Sequence, residues 1–179
     1  MPEFMYELKI PKGRIAVLIG TNGEIKKQIE EETNTKINID SQEGDVSIVG
    51  DDGLGLYSAR EVVTAIGRGF NPHTARLLLK GDHIFEQLDL SEAVNTKAQF
   101  IRLKGRIIGA GGKCRKLIEE LSDVSMTIYG KTIGIIGEPQ KVAIARKAID
   151  LLIRGSMHST VYRWLEKRRK QLRQSELIA

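Results

Sequence analysis

The chain has 179 residues, 41% of them apolar and 28% charged, which is the balance of a folded protein rather than a disordered tail. Its longest apolar runs, such as Leu77-Leu78-Leu79 and Ile133 to Ile136, fall far short of the roughly 20 residues a membrane span needs. Three histidines and the single cysteine, Cys114, lie at no metal-ligand spacing, so neither a metal site nor a cofactor is expected.

The net charge is +5, and its distribution is more informative than its size. From Lys97 to Ile118 there are seven basic residues and no acidic one, whereas Asp40 to Glu61 holds six acids and only Arg60. This sorting points to a polyanionic partner for one part of the chain. The first residues carry no basic leader and no apolar signal core, so a cytoplasmic location is expected.

An internal repeat organises the chain. Lys12-Gly13-Arg14-Ile15 leads to Gly20-Thr21-Asn22-Gly23, and Lys104-Gly105-Arg106-Ile107-Ile108 leads to Gly109-Ala110-Gly111-Gly112. From the glycines onward the offset is a constant 89 residues, pairing Gly20 with Gly109, Lys27 with Lys116 and Ile29 with Ile118. In chain order, the alternating Tyr6 to Ile10 predicts a strand, Glu24 to Thr33 a helix, and Lys36 to Ile39 with Val46 to Val49 a strand pair. A helix over Leu54 to Ile66 closes the first copy. The stretch 68–96 reads as a structured connector with a helix over Thr74 to Leu79 and a turn at Lys80-Gly81-Asp82, and its apolar content predicts that the two copies pack together. The second copy repeats the pattern: a strand over Gln99 to Leu103, a helix over Lys113 to Leu121, strands at Ser125 to Tyr129 and Ile133 to Ile136, and a closing helix from Pro139 to Arg154. After Gly155 a basic amphipathic helix is expected, with Val161, Trp164, Leu165 and Leu172 on one stripe.

Single-stranded RNA is held either by stacking bases on aromatic platforms or by gripping the backbone beside a base-accepting groove. With only 5% aromatic residues, this chain favours the second route. A Gly-x-x-Gly turn lets a phosphate approach the backbone closely, and the helix that starts there offers unpaired N–H groups and a positive dipole end. The main RNA-binding residues are therefore read as Arg102, Lys104, Arg106, Gly109, Ala110, Gly111, Gly112, Lys113, Arg115 and Lys116, with Ile107, Ile108, Met126 and Ile128 as groove floor for bases. A secondary site is read at Lys12, Arg14, Gly20, Thr21, Asn22, Gly23, Lys26 and Lys27, where Glu7 and Glu24 dilute the basic charge.

Enzyme readings fail on spacing. A P-loop requires Gly-x-x-x-x-Gly-Lys-Ser/Thr, but Ile107 stands at the first glycine position and Cys114 follows Lys113. A dinucleotide fingerprint fails as well, since Gly109-Ala110-Gly111 is followed by Gly112-Lys113-Cys114.

The pattern Ile-Gly-x-x-Gly within a βααββα order, present twice, resembles the KH module in its eukaryotic-type topology. With Ala65 to Phe70, Arg154-Gly155-Ser156 and Val161-Tyr162, the chain is similar over nearly its whole length to the archaeal type of two-KH small-subunit ribosome-assembly factor. The resemblance implies an α+β fold: two tandem KH modules, at 5–67 and 97–155, each a three-stranded antiparallel sheet covered by helices on one face, and a C-terminal helix over 156–179. It also implies a non-catalytic protein that binds pre-ribosomal RNA near the small-subunit 3′ end and assists its maturation. The partners it implies are the Nob endonuclease, the ribosomal RNA dimethylase and the alpha subunit of initiation factor two. One departure stands out: KH helices carry an aliphatic residue three positions after the second glycine, where this chain has Lys26 and Arg115.

Overall fold

The computed structural model describes residues 2 and 4–179, which form two compact units, the first made of the chain up to Phe85 together with Thr127–Tyr129. The first contains β1 (Phe4–Lys9), α1 (Lys12–Ile19), α2 (Glu24–Thr33), β2 (Thr35–Ile39), β3 (Asp45–Gly50), α3 (Gly53–Gly67) and the short α4 (Pro72–Ala75), which runs into a 3-10 turn at Arg76–Leu79. Its sheet is antiparallel in the order β1-β3-β2, with Ser47 facing both Glu7 and Asn38 across the ladders. Alternation along the strands sends Ile37, Val46 and Ile48 into the core against Leu18, Ile29, Val62 and Ile66, while Glu7 and Asn38 stay exposed. Asp52 caps α3, accepting from the Leu54 and Gly55 amides at 3.3 and 2.9 Å.

The second sheet takes the order β4-β6-β5, from β4 (Ile84–Asp89), β5 (Ser125–Tyr129) and β6 (Thr132–Gly137). Its helices are α5 (Lys97–Ile108), α6 (Lys113–Ser122), α7 (Pro139–Ile153) and α8 (His158–Ile178). Ile107, Ile118, Ile133, Ile135 and Ile149 are its fully buried centre. Both modules thus follow the βααββα order on three-stranded sheets, as expected.

Two expectations for the second module need correction. Gln99 to Leu103 is not a strand but the first part of α5. Thr96 accepts from the Gln99 amide at 3.2 Å, and the Gln99 side chain accepts from the Thr96 amide at 3.3 Å. This reciprocal cap starts a helix, and Phe100, Leu103 and Ile107 then recur at helical spacing. The opening strand is Ile84–Asp89 instead, drawn from the stretch read as connector, so the second sheet begins well before residue 97.

Candidate nucleic-acid interface

The two glycine loops have nearly the same backbone. Gly20 and Gly109 adopt φ of 74° and 76°, Asn22 and Gly111 adopt 54° and 60°, and Gly23 and Gly112 adopt 77° and 78°. Each loop ends as the left-handed cap of the following helix, α2 or α6, and no side chain caps either helix. Their first-turn N–H groups and positive dipole ends therefore face outward.

Within the second loop the glycines do different work. A Cβ on Gly109 would lie 2.7 Å from both the Cβ and the amide nitrogen of Cys114, so this glycine is required for the loop to fold back on α6. A Cβ on Gly112 would meet nothing closer than Lys116 Cε at 4.0 Å. The space beside Gly112 is open, as an approaching phosphate requires. The apolar side chain that anchors each helix start is two positions after the last glycine, at Ile25 and Cys114, and not three. Lys26 and Arg115 are half-buried.

Charge separates the loops. The first turn of α2 carries Glu24, while that of α6 carries no acid and begins with Lys113. Lys26 forms an ion pair with Glu30 at 3.3 Å. Among the described residues, Arg102, Lys104, Lys113, Arg115 and Lys116 have no ion-pair partner. Arg102, Ala110, Gly111, Lys113 and Lys116 are exposed, and Lys104 Nζ sits 5.9 Å from the Phe100 ring centroid. In the first loop Lys12, Thr21, Asn22 and Lys27 are exposed.

Four residues read as RNA contacts are placed elsewhere. Arg106 Nη2 donates to the carbonyl oxygens of Leu152 and Ser156 at 3.2 and 2.5 Å. Arg14 donates through Nε to Ile66 O at 2.8 Å and through Nη2 to Phe70 O at 2.7 Å. Both guanidiniums donate to carbonyls at and beyond the C-terminal end of a closing helix, so each ties its own module together internally. Ile107 is fully buried and Met126 is 2% exposed, which makes them core rather than groove surface. Ile108 and Ile128 remain half-exposed.

Two supporting residues escaped the sequence reading. His158, at the start of α8, donates from Nε2 to Arg106 O at 2.8 Å and stacks on Tyr162 with ring centroids 6.0 Å apart. The Tyr162 hydroxyl and the Cys114 thiol lie within each other's influence beneath the loop; burial and the neighbouring thiol push the hydroxyl up to about 12, and burial raises the thiol as well. Helix α8 therefore braces the second loop from behind. Its basic run divides: Lys167 and Lys170 are exposed, Arg168 lies 5.5 Å from the Trp164 ring, and Arg169 is half-buried.

Residues 5–65 match the KH domain family, and residues 84–170 match the eukaryotic-type KH domain, type I. A KH domain-containing protein of Methanocaldococcus jannaschii is 41% identical over 172 residues, covering 94% of this chain and 75% of its own length. The RNA-binding protein PNO1 of Oryzias latipes is 34% identical over 60% of this chain, a match that spans only 45% of that longer protein. Among solved structures, Dim2p of Pyrococcus horikoshii superposes with a TM-score of 0.86 at 46% identity, covering 92% of this chain and 99% of that one. The a/eIF2alpha-aDim2p-rRNA complex from the same organism gives 0.87 at 46% identity, covering 94% and 95%. The chain belongs to the family of two-KH-domain RNA-binding proteins that includes these archaeal members and PNO1.

Proposed function

We propose that this protein is a non-catalytic single-stranded RNA-binding factor that binds small-subunit ribosomal RNA near its 3′ end and assists its maturation. The observation that carries the reading is the second glycine loop: an uncapped helix start, open space beside Gly112, and an acid-free basic flank of Arg102, Lys104, Lys113, Arg115 and Lys116. The phosphate backbone sits on Ala110 to Gly112 and the first turn of α6, and bases enter beside Ile108 and Ile128. The first loop, with Glu24 at its helix start, contributes less.

The ribosomal assignment draws on the relatives, one of which is named a pre-rRNA-processing protein and another of which was solved with rRNA and the alpha subunit of an initiation factor. By the same kinship the alpha subunit of initiation factor two is a protein partner; the Nob endonuclease and the ribosomal RNA dimethylase are partners on the family resemblance of the sequence alone. Crosslinking in cells followed by sequencing of bound RNA tests the reading. Reads concentrated at the small-subunit 3′ end are expected; reads spread over messenger RNA would overturn the ribosomal assignment.

A further inference from the structure

The two modules leave their closing helices in the same way and then diverge. Gly69 and Gly155 turn the chain at φ of 100° and 98°, and α4 and α8 begin 86 residues apart, at Pro72 and His158. The same spacing pairs the fully buried Ala75 with the fully buried Val161. Arg76–Leu79 then packs on α2 and α3 as α8 packs on α6 and α7. In the first module, however, the helix stops at Leu79, whereas α8 continues to Ile178.

That truncation exposes part of α3. In the second module, Ala143, Ile144 and Lys147 of α7 line a groove together with Trp164, Arg168 and Leu172 of α8. The positions 86 residues earlier are Tyr57, Ser58 and Glu61, and no counterpart of the second half of α8 covers them. Leu54 is 74% exposed and Tyr57 55% exposed. With Glu61, Leu78 and Leu79 they wall a groove of about 350 Å³, whose lining also includes Lys80, His83, Ile84 and Phe85. Glu61 has no hydrogen bond or ion pair among the described residues, and burial raises its carboxyl against the opposing pull of the neighbouring Arg60, whose guanidinium stacks on Tyr6, 4.4 Å from the ring centroid. Asp51 and Asp52 add negative charge at the same end of α3.

We infer that this face of α3 is a docking seat for an amphipathic helix of a partner protein, with aliphatic anchors over Leu54 and Tyr57 and a lysine or arginine against Glu61. The second module shows the seat occupied in cis, with the charge reversed: Lys147 stands where Glu61 stands. Asp51, Asp52 and Glu61 give this end of α3 a different charge from the acid-free flank of the second glycine loop, so the seat is a surface separate from that loop.

The test uses the full chain, labelled for NMR, and two synthetic amphipathic helical peptides with leucines on one face and either lysines or glutamates on the other. The lysine peptide is expected to shift the amides of Leu54, Tyr57, Ser58 and Glu61 saturably, and the glutamate peptide is not. Glu61→Lys and, separately, Tyr57→Ala should weaken the lysine peptide by about tenfold or more, with RNA affinity unchanged. Equal binding of both peptides, shifts that skip these residues, or shifts there on adding single-stranded RNA would overturn the inference. So would shifts driven by protein concentration alone, since the occupant would then be a second copy.

Discussion

Arg106 donates to the carbonyl oxygen of Ser156 at 2.5 Å, fastening the helix before the second glycine loop to the chain beyond α7. Arg14 makes the corresponding bond to Phe70, 86 residues before Ser156, although Arg14 lies six positions before its loop glycine and Arg106 only three. The two arginines sit about one helical turn apart on equivalent helices yet reach equivalent carbonyls. The shared Lys-Gly-Arg signature therefore marks a staple and not a phosphate clamp. Arg106→Ala is expected to lower unfolding free energy by about 2–3 kcal/mol, since two charge-assisted, part-buried bonds to carbonyls are lost, whereas Lys104→Ala leaves it within about 0.5 kcal/mol. Urea denaturation of both variants checks this.

Ala110→Asp with Gly111→Asp places two carboxylates where phosphate should sit. Gly111 has φ of 60°, close to the 54° that Asn22 adopts in the first loop, so aspartate fits with little strain. The expected outcome is an unchanged melting temperature and a loss of RNA affinity on the order of 100-fold, about 2.7 kcal/mol. Fluorescence anisotropy with a single-stranded oligonucleotide gives the affinity.

Glu24→Lys reproduces in the first loop the lysine that the second has at Lys113. Measured with the second loop already disabled, it should raise RNA affinity and steepen the log–log salt dependence by roughly 0.7 if one more phosphate is engaged. An unchanged slope would mean that a basic side chain at position 24 reaches no phosphate.

Gly109→Ala and Gly112→Ala should separate folding from binding. The first brings a methyl group to 2.7 Å from Cys114 at positive φ and is expected to be the more destabilising, by more than about 2 kcal/mol. The second adds only backbone strain of about 1–2 kcal/mol, and its methyl occupies the phosphate's approach. Chemical denaturation and RNA titration of the pair should rank them in opposite orders per unit of stability lost.

Alkaline pH should weaken the second module. Burial raises the Cys114 thiol above its ordinary 9.0 and the Tyr162 hydroxyl from 10.0 to about 12. Between the ordinary and the raised values the folded chain holds protons that the unfolded chain has released, so stability is full below the ordinary values and falls as pH rises through the raised ones. Thermal melts from pH 8 to about pH 12 are expected to decline, and Tyr162→Phe should flatten the upper part of that decline.

Much of this was readable from residues alone. The offset of 89 residues, the alternating Tyr6 to Ile10 and the proline-led α7 fixed the repeated order of elements. Gln99 to Leu103 misled because five residues with mixed polarity satisfy either period; the Thr96–Gln99 pair was the signal that would have settled it. Ile84–Asp89 carries too little apolar pattern to declare itself a strand until β6 pairs with it. The arginine staples were hidden for another reason: their acceptors are backbone carbonyls some fifty residues away, and a carbonyl has no sequence signature. Burial depth was equally invisible for Ile107 and Met126, whose neighbours in the chain look like any groove lining.

Cys114 is the chain's one thiol, and it lies fully buried directly under Gly109. A thiol reagent can reach it only when the loop lifts from α6 or the module opens further. The rate of labelling in the native protein is thus a clock for loop opening that needs no engineered reporter, and bound RNA should slow it.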